Sequence, residues 1–274
     1  MKKKENWNSE ELMTFGGHLE VLRQMIFRIL GVSGIFAAAI FCFKDITWRI
    51  LLAPSEWNFC TYRWIERAAH LCGIDFHFEK FHVDMIATDL SSQFMTHIST
   101  AIYLGLLAAS PYIFLELFRF ISPALYESEK KYSVKITVII YFLFIIGVLM
   151  SYYILFPISF RFLGTYSVAE QIHSNITLDS YISTFTTLTL VMGAVFQLPV
   201  IAFFLGKTGL ASSTMLMRYR KHSFIIILIV AAIITPPDLM TLILVTIPLY
   251  LLFELSIRVM SWTEEDTSVE TNPT

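Results

Sequence analysis

Long apolar runs constrain the fold of this chain more than any other feature of its sequence. Four of them cover residues 26–43, 98–117, 136–156 and 181–205. The hydrocarbon core of a bilayer is about 30 Å thick, and about 20 helical residues cross it. Only 15% of the residues are charged, whereas a soluble domain carries about 25%. The sequence therefore predicts an all-α integral membrane protein.

The last apolar stretch is divided by a Pro-Pro-Asp sequence at 236–238 into the pieces 224–234 and 239–255. The first piece, at about 1.5 Å per residue, reaches only about 16 Å, which is well short of the hydrocarbon core. Proline donates no backbone hydrogen bond, and the residue before it avoids the helical conformation. A turn at 235–238 is therefore predicted, and the two pieces form either one re-entrant hairpin or two short spans.

The positions of lysine and arginine indicate the orientation, because these residues are enriched in cytoplasmic loops. With the N-terminus inside, fourteen of them fall on the inner side and six on the outer side. This arrangement is consistent only if both short pieces span the membrane, so that both termini are cytoplasmic. Residues 1–262 form the predicted membrane domain, and the polar tail 263–274 is expected to be disordered. The six predicted spans cover about 24–43, 95–119, 132–156, 181–206, 222–235 and 239–258.

The first outside loop, at about 44–93, is long and rich in aromatic residues. Its segment 57–70 is typical of an amphipathic helix that lies in the membrane interface. Cys60 and Cys72 share this loop and would form a disulfide if the loop faces an oxidising compartment. The sequence leaves the bridged and the free states open.

The sequence argues against enzymatic, cofactor and nucleic-acid functions. Gly-Lys-Thr at 206–208 resembles the end of a phosphate-binding loop, but the glycine required five residues earlier is Ile201. No nucleophile and base pair is evident on facing helices, and the net charge of −2 gives no sign of nucleic-acid binding. Three histidines of the outside loop have a spacing that fits no zinc site: His70, His77 and His82.

Polar residues within or beside the spans are candidates for function, because such groups are costly in lipid. Gln197 lies two residues before Pro199 in the fourth run, while Glu116 and Glu254 lie near the cytoplasmic ends of the second and sixth. Gln197 could satisfy backbone carbonyls freed by the proline, or it could meet a polar group on a partner helix. Glu129, in a short inside loop, would by itself be a solvated carboxylate paired with the neighbouring lysines.

Several ordered motifs make the chain similar to the TatC family, the multispanning receptor subunits of the twin-arginine protein translocase. The resemblance covers roughly residues 14–260. The motifs are HLEVLR at 18–23, MIATD at 85–89, FISPALYESE at 120–129, Tyr152 with Phe156-Pro157, FQLP at 196–199, TPPD at 235–238 and LFE at 252–254.

The resemblance implies a cup-shaped bundle of six helices, with unusually short fifth and sixth helices, in the bacterial cytoplasmic membrane. It implies binding of the twin-arginine signal peptides of folded precursor proteins. Further implied partners are single-span TatA or TatB subunits, other copies in a multimeric receptor complex, and lipid. Export would draw on the proton-motive force, without a cofactor. The alternative, judged from the residues, is an ion-coupled small-molecule transporter.

The resemblance also implies a signal-peptide site, onto which residues are carried one at a time. Glu129, Phe120 and Pro123 match the first cytoplasmic loop, and Glu20 and Arg23 match the N-terminal segment. A carboxylate there would accept the planar fork of donors of an arginine. This chain departs from the family, because its N-terminal acid stands one position early. One position is about 100° around a helix, so Glu20 would face a different direction.

Four polar residues are implied as intramembrane groups or contacts to a partner helix: Gln197, Glu254, Glu116 and Tyr152. At Gln197 many relatives carry glutamate, so this chain keeps the hydrogen bonding there but lacks the charge. The residues Pro236, Pro237 and Asp238 are expected to form the turn at the outer face.

Overall fold

The computed structural model describes residues 15–75, 77–81, 83–121, 133–167, 169, 175–236 and 238–270. Within these residues the fold is almost entirely helical. Its helices are α1 (Phe15–Cys42), α2 (Lys44–Leu52), α3 (Cys60–Leu71), α4 (Ser92–Ala108), α5 (Ser110–Ile121), α6 (Ser133–Met150), α7 (Phe156–Thr165), α8 (Leu178–Val195), α9 (Leu198–Lys207), α10 (Ser213–Arg218), α11 (Arg220–Ile234) and α12 (Leu239–Glu270). Two short strands, Met85–Ile86 and Ile176–Thr177, pair in parallel and join the segments that precede α4 and α8.

Four of the described segments are long and apolar enough to cross a membrane: Leu19–Cys42, Thr137–Thr165, Leu178–Lys207 and Leu239–Trp262. A fifth crossing results if α4 and α5 form one span with a bend of 56°. The helix α11 has 15 residues, which at about 1.5 Å each reach about 22 Å. The structure therefore confirms an all-helical membrane fold with four or five spans, while the sixth span remains a prediction.

The bend in the second span was not predicted from the sequence, which indicated one helix over 95–119. The break follows from Pro111, which has no N–H to donate to the preceding turn. The backbone N–H of Ala109 still reaches Gly105 O at 2.9 Å, and α5 starts afresh at Ser110. The residues around the break are mostly apolar, so in the sequence only the proline marks this bend.

The third span is longer than predicted, because it continues through a π-helical turn, Ser151–Leu155, into α7. Pro157 donates no hydrogen bond to the carbonyl four residues earlier, that of Tyr153. The hydroxyl of Thr61, from α3, donates to that carbonyl instead. The Tyr62 hydroxyl donates to Pro157 O at 2.9 Å. The first outside loop is thus fastened to the backbone irregularity of the third span.

Glycines let the long helices approach closely. A Cβ atom at Gly105 would lie 2.6 Å from the backbone nitrogen of Ala37, where α4 crosses α1. A Cβ atom at Gly147 would lie 2.6 Å from Met192 O, where α6 crosses α8. Small residues have this role in membrane proteins because the helices associate through close packing.

The C-terminal helices pack as two pairs, with α9 and α11 each lying against α12. The last helix continues without a break to Glu270, although the sequence predicted a disordered tail from residue 263. Each residue added to an existing helix gains a backbone hydrogen bond, so a polar segment can extend it.

The sequence left the bridged and the free states of Cys60 and Cys72 open, and in the structure both are free thiols. They lie at opposite ends of α3, about 18 Å apart at 1.5 Å per residue. A disulfide requires Cα atoms less than about 7 Å apart. The two cysteines share one loop in the sequence, but the helix between them keeps them apart.

Candidate functional site

The predicted signal-peptide site falls partly outside the described residues. Glu129 and Pro123 lie in 122–132, which the structure does not describe. Phe120 belongs to the last turn of α5, directly before this segment, and α6 starts directly after it at Ser133. The structure thus describes the helices that flank the loop.

Glu20 lies on an exposed face of α1 and is paired within its own helix. Arg23 Nη2 lies 2.7 Å from Glu20 Oε1, and Gln24 Nε2 donates to the same oxygen at 3.2 Å. Both partners of the ion pair are solvent-exposed. Such exposed pairs contribute about 0.2–1 kcal/mol, so another guanidinium can replace Arg23 at little cost.

Glu116 is a buried acid, and it joins α5 to α1. Its side chain is only 5% exposed, and Arg119 Nη1 lies 3.2 Å from Oε1. Arg28, on α1, places Nη1 3.7 Å from Oε2. Both arginines extend into solvent, so the buried charge is balanced by cations that remain hydrated. The sequence identified Glu116, but it gave no sign of Arg28 as its partner.

Gln197 lies at a break between α8 and α9 within the fourth span. Its own backbone N–H bonds Ala194 O at 3.0 Å, which leaves Gly193 O without its usual helical donor. The side-chain Nε2 lies 3.4 Å from this carbonyl and 3.2 Å from Ile140 O on α6. Gln197 therefore supplies donors to backbone carbonyls, but the freed carbonyl is that of Gly193 and not the one opposite Pro199.

The other side-chain atom of Gln197, Oε1, is buried and has no hydrogen-bond partner among the described residues. The residue borders an apolar cavity of about 440 Å³ between α5, α6 and α9. A buried acceptor without a donor costs about 1–3 kcal/mol. The structure thus leaves one buried amide oxygen unpaired, in a residue that borders an apolar cavity.

Glu254 connects the last two helices, α11 and α12. Its Oε2 lies 2.8 Å from Arg220 Nη2 on α11, and its Oε1 accepts from the Tyr250 hydroxyl at 3.1 Å. Phe224, on α11, packs edge-on against the ring of Tyr250. This network fixes α11 against α12.

Tyr152 and the proline turn have structural roles. The Tyr152 hydroxyl donates to Ile50 O on α2 at 2.7 Å, so Tyr152 joins α2 to the third span.

Asp238 Oδ1 accepts from Thr241 N at 2.6 Å and caps the start of α12. The turn occurs where the sequence predicted it; Pro236 belongs to it, and Pro237 lies outside the described residues.

Sequence reasoning missed Asp179, in the first turn of α8. Its carboxylate accepts from Ser92 at 2.6 Å and from Thr96, so it ties α4 to α8. A threonine N-cap followed by an acid is a helix-start signature, and Thr177 indeed caps this helix. That signal could have found the helix start but not the partners on α4.

The described residues contain no cluster of acids, histidines and cysteines that could hold a metal ion. In the outside loop, His70 Nε2 lies 3.9 Å from Asp75, and both groups are exposed.

The chain is similar to proteins of one family over most of its length. The model for "Sec-independent protein translocase protein (TatC)" matches residues 17–248. The TatC of a Blattabacterium species is 34% identical over 256 residues, which cover 92% of this chain and 96% of that one. The TatC of Desulforapulum autotrophicum is 32% identical, with 90% and 84% covered.

A crystal structure of a twin-arginine translocase receptor TatC superposes with a TM-score of 0.70 at 28% identity, covering 90% of this chain and 99% of that one. The fold, the family model and the relatives agree with the motifs found in the sequence. The chain is therefore a membrane protein of the TatC family of Sec-independent protein translocase proteins.

Proposed function

We propose that this protein is the signal-peptide receptor of a twin-arginine translocase in the bacterial cytoplasmic membrane. In this role it binds the signal peptides of folded precursors, and the complex exports them with energy from the proton-motive force. The observation that carries the proposal is the similarity to a solved TatC receptor over 90% of the chain. The protein acts as a docking subunit and not as an enzyme.

The proposal includes six spans, with both termini in the cytoplasm. The helix α11 is the remaining one of the six spans, and its length of about 22 Å requires a locally thinner bilayer. The distribution of fourteen against six basic residues supports this orientation. Residues 1–262 then form the membrane domain.

The signal-peptide site is proposed at the cytoplasmic face, around Glu129, Phe120 and Pro123, with Glu20 and Arg23 from α1. A pair of arginines needs two acceptors, and Glu20 is available as the second because its exposed pair with Arg23 is weak. Each carboxylate accepts two parallel N–H bonds from one guanidinium. Lysine lacks this fork, which accounts for a requirement for arginine.

The partner subunits are proposed to be single-span helices of the TatA or TatB type. Gln197 has an unpaired Oε1 and borders an apolar cavity, so a turn of its amide toward the cavity would let it accept from one polar donor on a partner helix. Loss of partner co-purification in Gln197→Leu, with retention in Gln197→Glu, would support this contact. Equal co-purification in both variants would exclude it.

The same geometry does not favour a small-molecule transporter. Such a transporter needs several polar groups that converge on a substrate near the middle of the membrane. Among the described residues, Gln197 uses its amide nitrogen on backbone carbonyls. The polar networks of Glu116 and Glu254 lie near the inner ends of the helices, where they join neighbouring elements.

Crosslinking tests the receptor proposal. A precursor with a photocrosslinker beside its two arginines is bound to membranes that contain the protein. Crosslinking should fall strongly in Glu129→Ala and remain in Glu127→Ala, a matched carboxylate in the same loop. Equal crosslinking and export in both variants would overturn the assignment of Glu129.

A further inference from the structure

The helix α3 has one covered and one uncovered side. Thr61 and Tyr62 are buried and hold the helix to the third span. Glu66 is partly buried and accepts the backbone N–H of Phe78 at 2.8 Å. These contacts fix the rotation of α3 about its axis, so the direction of its other side is fixed as well.

The uncovered side combines two arginines with large apolar side chains. Arg63, Arg67 and Leu71 follow at intervals of four residues and therefore form one row along the helix. Trp64 stands beside this row. Trp64 is 53% exposed and Leu71 is 89% exposed. Among the described residues, neither arginine has an ion pair or a side-chain hydrogen bond.

This row lies at the outer end of the membrane-spanning region. The ring centroids of Trp64 and Tyr153 are 6.0 Å apart. Its neighbour Tyr152 packs edge-on against Phe185, which lies seven residues, about 10 Å, after Leu178, where the fourth span begins. The 30 residues of that span measure about 45 Å and exceed a core of about 30 Å by about 7 Å at each end. In the proposed orientation Tyr153 is therefore near the outer boundary. Tryptophan and tyrosine are enriched at this level.

We propose that Arg63 and Arg67 bind the phosphate of an anionic phospholipid in the outer leaflet, with Trp64 and Leu71 beside its acyl chains. The two guanidinium groups are one helical turn apart, about 6 Å along the axis, so both reach one headgroup. Arginine donates to phosphate in a planar fork. A net negative headgroup is preferred, because the ammonium group of a zwitterionic lipid is repelled by two arginines.

This site is separate from signal-peptide binding and goes beyond the proposed function. It gives the long outside loop a function, which is to anchor the outer end of the third span to anionic lipid. It also gives a reason for two unpaired arginines on the outer side, where basic residues are few.

Native mass spectrometry of the purified full-length protein tests the site. The probe is phosphatidylglycerol, compared with phosphatidylcholine of the same acyl chains. A basic residue near an anionic membrane contributes about a fivefold gain in binding. The double variant Arg63→Gln/Arg67→Gln should therefore lose about twenty-fivefold in phosphatidylglycerol affinity, and phosphatidylcholine binding should not change. The matched control, Lys44→Gln/Arg49→Gln, removes two exposed charges from α2 in the same loop.

Equal losses in both double variants would overturn the site, because they would show a diffuse effect of charge. An unchanged affinity in Arg63→Gln/Arg67→Gln would also overturn it. A second measurement addresses Trp64: in nanodiscs of brominated phosphatidylglycerol, wild-type fluorescence should be quenched more than that of Trp64→Phe. Equal fractional quenching would show that Trp64 does not contact lipid.

Discussion

The bond between Thr61 and the carbonyl of Tyr153 gives the sharpest prediction for stability. Pro157 leaves that carbonyl without its helical donor, and the Thr61 hydroxyl replaces it. Thr61 is only 3% exposed, so water cannot substitute in the folded protein. The variant Thr61→Val keeps the shape of the side chain and removes the donor.

The expected cost follows from the unpaired carbonyl. A buried acceptor without a partner costs about 1–3 kcal/mol. For a chain of this size, each kcal/mol lowers the melting temperature by about 2–4 °C. A loss of about 2 kcal/mol therefore corresponds to about 4–8 °C, measured by intrinsic fluorescence during heating in detergent. The outside loop should also become more sensitive to protease.

The matched control is Thr47→Val. Thr47 is also buried, and its hydroxyl donates to Phe43 O at 3.0 Å. That carbonyl already accepts the backbone N–H of Thr47 at 3.1 Å, so removal of the hydroxyl leaves no orphan group. Equal melting temperatures for Thr61→Val and Thr47→Val would refute the argument that the hydroxyl replaces the missing proline donor.

Three further predictions concern packing, ionisation and thiols. Gly147→Ala places a Cβ atom 2.6 Å from a backbone oxygen of α8, whereas Gly34→Ala meets nothing within 4 Å. The Gly147→Ala variant should lose about 1–3 kcal/mol of unfolding free energy, measured by thermal unfolding. Equal stabilities of the two variants would contradict the close crossing of α6 and α8. Burial raises the pKa of the Tyr62 hydroxyl above its ordinary value, so the stability that the neutral hydroxyl contributes is present below about pH 10 and is lost as pH rises further. The difference in unfolding free energy between wild type and Tyr62→Phe should therefore narrow above that pH. A constant difference would contradict the burial of this hydroxyl. Under mild oxidation Cys60 and Cys72 should both stay open to alkylation, and an intramolecular bridge detected by mass spectrometry would contradict the helical structure of α3.

Much of the fold could be predicted because lipid imposes simple rules on sequence. Apolar length identified the long spans, and the proline pair identified the turn before α12. Proline chemistry also explains what was missed. Pro111 lies inside an apolar run, where length alone suggests an unbroken helix, and Pro157 directly follows a run, where the span was expected to end. Their effects depend on which neighbouring group replaces the missing donor, and such a group is remote in sequence.

The candidate site was predictable where residue type limits the possibilities. Gln197, Glu116 and Glu254 were found because polar groups in apolar segments are rare. Their partners were not found, since Arg28 and Arg220 reach them from other helices and only the packing of those helices determines the pairing. The signal-peptide role of Glu129 depends on family resemblance, because its local sequence is equally compatible with a solvated acid.

Binding of a signal peptide by the purified protein tests the central claim most directly. A fluorescent peptide with a twin-arginine motif is titrated against the protein in nanodiscs, beside a peptide with two lysines in the same positions. We expect the arginine peptide to bind at least about tenfold more tightly, a difference of about 1.4 kcal/mol, because only arginine offers a bidentate fork to each carboxylate. Equal affinity for the two peptides, or no saturable binding of either, would contradict it.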